Sequence, residues 1–410
     1  MDEMDEMENR EQQEMIPQES VPQRKSRWPI IRKILSYLLV ATLSSCVTFF
    51  VFIGPQIAPS KLDYLKALLM ERYIGTADET VLEDAAAAAM VDALGDRWSY
   101  YIPASEYAAY QDQMTNSYVG IGVTVQARED GKGIEITKVT KGGSADKAGI
   151  QAGDILTAVE GKSITGQTVS QIKELIQGEE GTKVKLELLR GEETVKVTVT
   201  RQRIQVPVAT GVMLKHNIGL VTIENFDERC AEETIAAIDS LVKQGATSLI
   251  FDVRNNPGGY KRELVKVLDY LLPEGEIFRA EDYTGRVETD KSDKKCLNIP
   301  MAVLVNGNSY SAAEFFAAAL MEYDWAEVIG EQTCGKSYFQ NTFTLPDGSA
   351  VGLSVGKYYT PKGVSLADVG GLKPDRVVKV DEETAYAIYA GSLSPEEDPQ
   401  IQAAVEYLLG

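Results

Sequence analysis

The sequence predicts an α/β core that carries an inserted β-rich domain, preceded by a helical region and one apolar helix long enough to span a membrane. Strand-like and helix-like segments alternate over residues 217–378, which is typical of layered α/β folds. Glycine-punctuated segments of alternating polarity fill residues 117–204, as expected for short strands and turns. Residues 34–54 carry no charged side chain, and about twenty apolar residues suffice to cross a bilayer as a helix.

Composition narrows the range of functions. The chain has 410 residues and a formal net charge of −20 at pH 7, so nucleic acid is not expected as a partner, because phosphate neutralisation needs a basic surface. The single histidine, His216, excludes His-rich metal sites and leaves a Ser-His-Asp triad with one candidate. The four cysteines show no C-x-x-C spacing, which leaves zinc and redox motifs unsupported. No cofactor is expected, and the sequence selects no disulfide pair.

The N-terminal residues predict a single-pass membrane anchor. Residues 1–23 are acidic and lack apolar periodicity, so we expect a disordered cytoplasmic tail that reaches residue 33. Five basic residues precede the uncharged run 34–54: Arg24, Lys25, Arg27, Arg32 and Lys33. A basic cluster stays on the cytoplasmic side, so the remainder should lie outside the cell membrane. A cleaved signal peptide is the alternative, but its apolar core would be shorter, and "GPQIAPS" is a poor cleavage site.

Residues 58–115 predict a helical region. The segments "KLDYLKALLMERYI" and "VLEDAAAAAMVDAL" place apolar residues three and four apart, which is the period of an amphipathic helix. The following segment, "GDRWSYYIPASEYAAYQDQM", predicts a loop and another short helix.

Residues 116–204 predict a small β-rich domain. The segments "YVGIGVTVQ" and "GIEITKVT" alternate as strands, and "TKVKLELLRGEETVKVTVTR" predicts a hairpin. The motifs "VGIGV" and "AGIQAGDILTAVEGKSI" resemble a PDZ domain of the type found in bacterial proteases. In the binding loop of such a domain the backbone N–H groups of Gly120, Ile121, Gly122 and Val123 can converge on a chain-terminal carboxylate, and the adjacent strand edge can take the peptide.

Residues 205–390 predict the α/β core, and residues 391–410 a helical tail. The strands are "IGLVTIENF", "ATSLIFD", "MAVLVNG" and "AEVIG", with apolar helices between them. Polar loops that follow such strands are where sites usually lie in α/β sheets. Asp252, at the end of the second strand, and Arg254, in the loop that follows, are interpreted as a structural charge pair.

Ser311 is the candidate nucleophile, although Ser311-x-x-Glu314 also fits a capping box, which needs no chemistry. The start of a helix favours a developing oxyanion. Because histidine is nearly absent, the candidate base is Lys336 in "TCGKSYFQ". A lysine with an ordinary pKa of about 10.4 is a poor base at neutral pH, but apolar burial lowers that pKa. If this segment is extended, Gln340 shares a face with Lys336 and can orient its amine.

Taken together, these segments resemble the C-terminal processing peptidases, from about residue 58 to the C-terminus. "GDRWSYYIPASEY", "FDVRNNPGG", "NGNSYSAAE", "IGEQTCGKSYFQ" and "GLKPDRVV" carry the resemblance. It implies a crotonase- or ClpP-like layered core, with Ser311 as nucleophile, Lys336 as general base and Gln340 as its partner. The oxyanion donors it implies are the N–H groups of Ala312 and of Gly258 or Gly259. Ser309 is interpreted as a loop residue, since the serine-to-lysine spacing of 25 fits Ser311.

Two departures from the family pattern concern the pocket. Cys334-Gly335-Lys336-Ser337 stands where the family usually has F-G-K-G, and Tyr310 interrupts a small-residue run before the nucleophile. Neither removes a catalytic group, although Cys334 adds a thiol open to oxidation beside the base.

The sequence therefore predicts a membrane-anchored serine endopeptidase that acts on proteins or peptides with a free C-terminus. It leaves the oligomeric state open, homo-oligomers included. The first alternative is a catalytically inactive PDZ-type binding or scaffold protein. The second is a trypsin-like protease with a PDZ domain, which would have to use His216.

Overall fold

The computed structural model describes residues 28–49, 60–128 and 130–410. These residues fall into two compact units, with the boundary between Glu83 and Asp84. Helices α1 (Trp28–Thr48) and α2 (Lys61–Arg72) belong to the first unit, and α3 (Glu79–Asp92) crosses the boundary between the units.

Helix α1 overlaps the predicted anchor but begins earlier. Residues 28–33, predicted as part of the disordered tail, are helical, because Trp28, Ile30 and Ile31 extend the apolar run across the basic pair. The rest of the predicted tail, and the last residues of the predicted span, lie outside the described residues. Within the described residues, α1 is the one helix that is long and apolar enough to cross a membrane, a property that signal sequences share.

The predicted helical region contains a strand. Strand β1 (Tyr100–Ile102) precedes helix α4 (Ala104–Met114), where the sequence indicated a loop. Its register with a distant strand, Tyr100 opposite Gly352, ties this region into a sheet of the core.

The β-rich domain follows α4 in the chain. Its elements are β2 (Ser117–Gly120), β3 (Val123–Ala127), β4 (Ile134–Val139), α5 (Ser144–Lys147), β5 (Ile155–Val159), β6 (Lys162–Ser163), α6 (Val169–Ile176), β7 (Lys183–Arg190), β8 (Glu193–Thr200) and β9 (Gln202–Gln205). Strands β7 and β8 form the predicted hairpin. The segment "YVGIGVTVQ", predicted as one strand, breaks at Gly122, whose φ of 82° requires glycine. Strand β2 therefore pairs with β9 in a separate two-stranded sheet. Strand β3 is an edge strand of the larger sheet, whose order is β3-β4-β5-β7-β8.

The α/β core follows. Its elements are β10 (Ala209–Met213), β11 (Ile218–Ile223), α7 (Cys230–Lys243), β12 (Ser248–Asp252), α8 (Lys261–Leu271), β13 (Gly275–Asp282), β14 (Val287–Ser292), β15 (Met301–Val305), α9 (Ala312–Glu322), β16 (Ala326–Gly330), β17 (Tyr338–Thr344), β18 (Ala350–Tyr359), β19 (Arg376–Val377), α10 (Glu382–Tyr389) and α11 (Pro399–Leu409).

The core sheet is covered on both faces. Strands β11, β12, β15 and β16 are parallel neighbours in the order β10-β11-β12-β15-β16-β19. Val303 and its neighbours pack with helices α7, α8 and α9, while Leu304 faces the other side with Ile401 and Ala404 of α11. Burial on both faces explains why these strands are nearly continuous apolar runs.

A second sheet was not predicted. Its order is β1-β18-β13-β14, with β17 paired to β18, so it combines segments from both ends of the unit. It packs on α9 through Phe278, whose ring centroid lies 5.3 Å from that of Phe315.

Asp252 and Arg254 form a buried charge network with the C-terminal helix. Arg254 bonds Asp252 at 2.6 Å and Asp398, the N-cap of α11, at 2.8 Å. The Arg254 and Asp398 side chains are each 4% exposed. This geometry agrees with the structural role expected from the sequence.

We expect Arg254→Met to lower the free energy of unfolding by about 3–5 kcal/mol, because it strands two carboxylates in a buried site. Urea unfolding of the full-length protein in detergent, followed by circular dichroism, measures the change. Arg376→Met is the control, since its 3.9 Å ion pair with Glu406 is exposed and should contribute under about 1 kcal/mol. Equal losses in the two variants would contradict the assigned role.

Candidate active site

The carboxyl ends of four neighbouring parallel strands supply the site. Strand β11 leads to Asp227, β12 to Gly258 and Gly259, β15 to Ser311, and β16 to Lys336. All of these residues line one cavity of about 950 Å³, which Gln340 of β17 also lines. The loops that follow the strands thus hold the site, as expected for a parallel sheet.

Ser311 lies on a sharp turn between β15 and α9. Its φ of 57° and ψ of −126° differ from the extended conformation of an ordinary N-cap. Such a conformation costs a non-glycine residue about 1–3 kcal/mol and is concentrated at functional sites. The Ser311 N–H donates to Glu314 Oε2 at 2.9 Å, which is the glutamate half of the predicted capping box. Helix capping is therefore present, but the backbone of Ser311 is that of a strained turn.

Glu314 joins the nucleophile turn to the loop that carries the base. Its Oε2 accepts from the N–H groups of Ser311 and Lys336, the latter at 2.8 Å. Its Oε1 accepts from Gly335 N–H at 2.7 Å and from the Thr333 hydroxyl at 2.5 Å. The side chain is fully buried. Burial raises the pKa of this carboxyl, and the four donated hydrogen bonds oppose that rise.

Lys336 projects a half-buried amine beneath two aromatic rings. Its Nζ lies 4.7 Å from the centroid of the Trp98 ring and 5.7 Å from that of Tyr310. Among the residues that the structure describes, it has no ion pair. Burial lowers the pKa of Lys336; nearby Cys334 and the carboxylates oppose this effect, and the Arg97 guanidinium adds to it. The amine is therefore easier to deprotonate than an ordinary lysine.

Gln340 lines the same cavity, but its amide is directed to the second sheet. Its Nε2 donates to Tyr338 O at 3.1 Å and to Ser354 Oγ at 3.0 Å. The segment from Lys336 to Gln340 is not one regular extended strand, which the expectation of a shared face assumed. Strand β17 begins only at Tyr338, and its pairing shifts between Phe339 and Gln340. The Gln340 carbonyl oxygen has no donor among the described residues and is the atom that can accept a hydrogen bond from the Lys336 amine.

Two backbone N–H groups near Ser311 are free to bind an oxyanion. Within residues 130–410, the N–H groups of Gly259 and Ala312 make no hydrogen bond. The Gly258 N–H is already donated to Asn256 Oδ1 at 2.8 Å, which leaves Gly259 of the two glycines proposed from the sequence. Both must be glycine, since a Cβ on Gly258 would lie 2.7 Å from that of Ser311 and one on Gly259 would collide with the Phe226 backbone.

The predicted peptide-binding loop lies between β2 and β3. The carbonyls of Ile121 and Gly122 accept from Ala145 and Thr140, which fixes the loop. Their N–H groups have no partner within residues 60–128 and 130–410. Strand β3 is an edge strand of its sheet, the kind of position where peptides add as an extra strand. Gly120 pairs with Gln202, and Val123 begins β3.

The other residues considered from the sequence, His216, Ser309 and the four cysteines, are not part of the proposed catalytic group. His216 is exposed in the turn before β11 and does not line the cavity. Ser309 is buried and donates to Val253 O at 2.7 Å, consistent with a loop residue. All four cysteines are free thiols.

Sequence reasoning missed three side chains of the site. Trp98 lies in a quoted motif, but nothing in its neighbours indicates a lysine 238 positions away. Glu314 was recognised as a cap and not as a link to Lys336. Asp227 carried no signal except that it follows a buried strand in the α/β pattern.

Family models match both parts of the second unit. The model of Peptidase family S41 matches residues 217–378, and a PDZ domain model matches residues 135–190. The solved structure of an S41 protease from Bacteroides fragilis NCTC 9343 has 17% sequence identity and a TM-score of 0.50 over 86% of this chain and 98% of that one, a likeness of fold.

Curated relatives extend the match along the chain. The carboxy-terminal processing protease CtpA of Bacillus subtilis (strain 168) is 36% identical over 351 residues, which are 82% of this chain and 75% of the relative. A CtpA-like serine protease of Staphylococcus haemolyticus (strain JCSC1435) is 32% identical over 77% of this chain and 64% of its own length. On this identity and coverage, the chain belongs to the carboxy-terminal processing proteases of peptidase family S41 and is a serine peptidase with a PDZ domain.

Proposed function

We propose that this peptidase is a membrane-anchored endopeptidase that cleaves with a Ser311–Lys336 dyad. The observation that carries the proposal is the amine of Lys336, which is half-buried, free of any ion pair among the described residues, and in the same cavity as Ser311. A lysine that only stabilised the fold would be expected to pair with a carboxylate or reach solvent. The shared cavity and the lowered pKa support a role as general base.

Lys336 takes the Ser311 proton as the hydroxyl oxygen attacks the peptide carbonyl. The resulting ammonium returns the proton to the leaving amine, and an acyl-enzyme forms. Water then attacks the ester with Lys336 again as base, which releases the second product and restores the serine. A neutral lysine in place of histidine is a known serine-hydrolase arrangement.

The oxyanion of each tetrahedral intermediate is bound by the N–H groups of Gly259 and Ala312. Their lack of other partners supports this assignment, and the N-terminal end of α9 adds a favourable potential. Donors of this kind typically contribute about 3–4 kcal/mol to the transition state. Gln340 is assigned to the orientation of the Lys336 amine through its carbonyl oxygen.

The PDZ domain, taken as residues 116–204, binds the C-terminal end of a protein or peptide substrate. The free N–H groups of Ile121 and Gly122 next to the open edge of β3 support this role. The catalytic core, taken as residues 205–390 with the tail at 391–410, then cuts the captured chain.

We assign α1 to the cell membrane, with the N-terminus in the cytoplasm and the catalytic domain outside. Its length and apolar composition support a span, and the basic residues that precede and begin it support this orientation.

The proposal predicts that Ser311→Ala and Lys336→Ala abolish cleavage of an unstructured protein with an apolar C-terminal tail. Each change should reduce kcat/KM by at least about 10⁴-fold, since either removes a member of the dyad. Gel analysis of products from the full-length protein in detergent measures this. His216→Ala is the control and should retain full activity. Cleavage by Ser311→Ala at the parental rate would exclude the mechanism.

We expect kcat/KM to rise with pH through the pKa of Lys336, because only the neutral amine accepts a proton. Burial lowers that pKa, so the midpoint should fall below the ordinary value of about 10.4. Removing the ring in Trp98→Ala should move the midpoint to higher pH by readmitting water. The conservative variant Trp98→Phe keeps an aromatic cover and should stay near the parent. A profile independent of pH between 6 and 10 would contradict the assignment.

Glu314→Gln should lower kcat more than it raises KM. An amide offers one acceptor oxygen where four donors now converge on two, so Ser311 and Lys336 lose their shared anchor. We expect a loss of about tenfold or more in kcat, equivalent to about 1.4 kcal/mol, measured under saturating peptide. The control is Glu331→Gln, another glutamate of the segment after β16, which should change kcat by less than about twofold.

A further inference from the structure

Asp227 is a buried carboxylate without a partner in the catalytic cavity. It follows β11, is 6% exposed and lines the cavity with Ser311. Its backbone bonds Asn225 and Cys230. Among the described residues, no side chain or N–H group bonds its carboxyl oxygens. Buried carboxylates normally have hydrogen-bonding or cationic partners, so this one lacks a donor that a bound molecule could supply.

The basic residues on the same wall are already paired. Lys261 bonds Glu288 and Asp290 at 3.1 and 3.0 Å. Arg262 bonds Glu228 at 2.8 Å, and its guanidinium lies 4.5 Å from the centroid of the Tyr260 ring. Neither is therefore the missing cation.

The groups that face Asp227 do not favour its charge. Burial raises the pKa of its carboxyl to about 7, and the Glu228 carboxylate adds to the effect. The other titratable neighbours are the hydroxyls of Tyr110 and Tyr260 and the Cys230 thiol, each with a pKa raised by burial. Above neutral pH Asp227 is thus a negative carboxylate, and no cation of the described residues is bonded to it.

The turn formed by Gly258 and Gly259 lies between Asp227 and the nucleophile, Ser311. A Cβ on Gly258 would meet Ser311, and one on Gly259 would meet the N atom of Asp227 at 2.6 Å. The glycine turn is thus packed between the two residues. A substrate whose scissile carbonyl lies at Ser311 would place a neighbouring side chain, rather than a distant one, at Asp227.

We propose that Asp227 is a specificity residue that binds a lysine or arginine side chain of the substrate close to the scissile bond. The inference rests on the proposed cleavage at Ser311. The ammonium or guanidinium supplies the donors that the buried carboxylate lacks, and the cavity has no other free carboxylate between Asp227 and Ser311 among its described lining residues.

Paired fluorogenic peptides test this. Each pair carries a single lysine or norleucine at one of three positions on either side of the cleaved bond, so the members differ in charge at equal length. The readout is the ratio of kcat/KM values within a pair, in which the protonation of Lys336 cancels. We expect one position where lysine is preferred by about tenfold or more, with a preference that grows from pH 6 to pH 8.

Asp227→Asn should bring that ratio close to one and remove its pH dependence, while Asp227→Glu should retain part of the preference. Glu288→Gln is the matched control on the same wall, and its ratio should stay near that of the parent because Lys261 already pairs with it. A parental ratio below about two at every position, or an unchanged ratio in Asp227→Asn, would overturn the inference. Cleavage of both peptides by Ser311→Ala would instead overturn the dyad.

Discussion

The carboxylate of Glu314 is the contact on which the geometry of the site depends. Among the described residues no cation is bonded to it, and its charge is stabilised by donors from the loop of Ser311 and the loop of Lys336. A backbone bond from the Cys334 N–H to Ser309 O at 3.2 Å joins the same two loops. Hydrogen bonds to a charged group typically contribute about 1.5–3 kcal/mol each, enough to hold Ser311 in a backbone conformation that would otherwise relax. The same bonds fix the N–H of Lys336, so the nucleophile and the base share one anchor. A general base must lie within hydrogen-bond reach of its proton, and this anchor sets how far the two chains can separate.

The parallel sheet explains why that one anchor is sufficient. Ser311 and Lys336 follow β15 and β16, which are adjacent, buried and paired from Met301 to Val305. The register between β15 and β16 fixes where the two strands end relative to each other. Only the loops that follow the strands can still move. The apolar layers on both faces resist movement because interiors are packed at near-crystalline density. The backbone strain at Ser311 and the burial of the Glu314 and Asp227 carboxyls each cost folding free energy locally. The packing of the sheet and its two apolar layers offsets that cost.

The sequence predicted features that lie within short segments, but it did not predict contacts between residues far apart in the chain. Periodicity and apolar runs predicted the parallel strands, and the PDZ motifs predicted the inserted domain, because both signals lie within short segments. The pairing of Tyr100 with Gly352 joins residues about 250 positions apart, and no pattern within either segment indicates it. The bulge before Gln340 depends on the partner strand, so the spacing from Lys336 to Gln340 within the segment did not fix which way Gln340 faces. Trp98 was overlooked for the same reason, since its relation to Lys336 exists only after both sheets assemble.

The two ends of the PDZ domain meet the catalytic loop at one place, which gives the insertion a physical connection to the site. Asn116, before β2, exchanges side-chain amide hydrogen bonds with Asn225. Arg229 donates to the carbonyl of Asn116, the first residue of the domain, and to that of Val206, just after its end. Asn225 also accepts from the N–H of Asp227 at 2.9 Å. A rotation of the PDZ domain about these two chain ends must therefore strain the hydrogen bonds that position the β11 loop, and with it the carboxylate that faces the cavity. The loop that carries Asp227 and the two ends of the inserted domain are thus held by one set of hydrogen bonds.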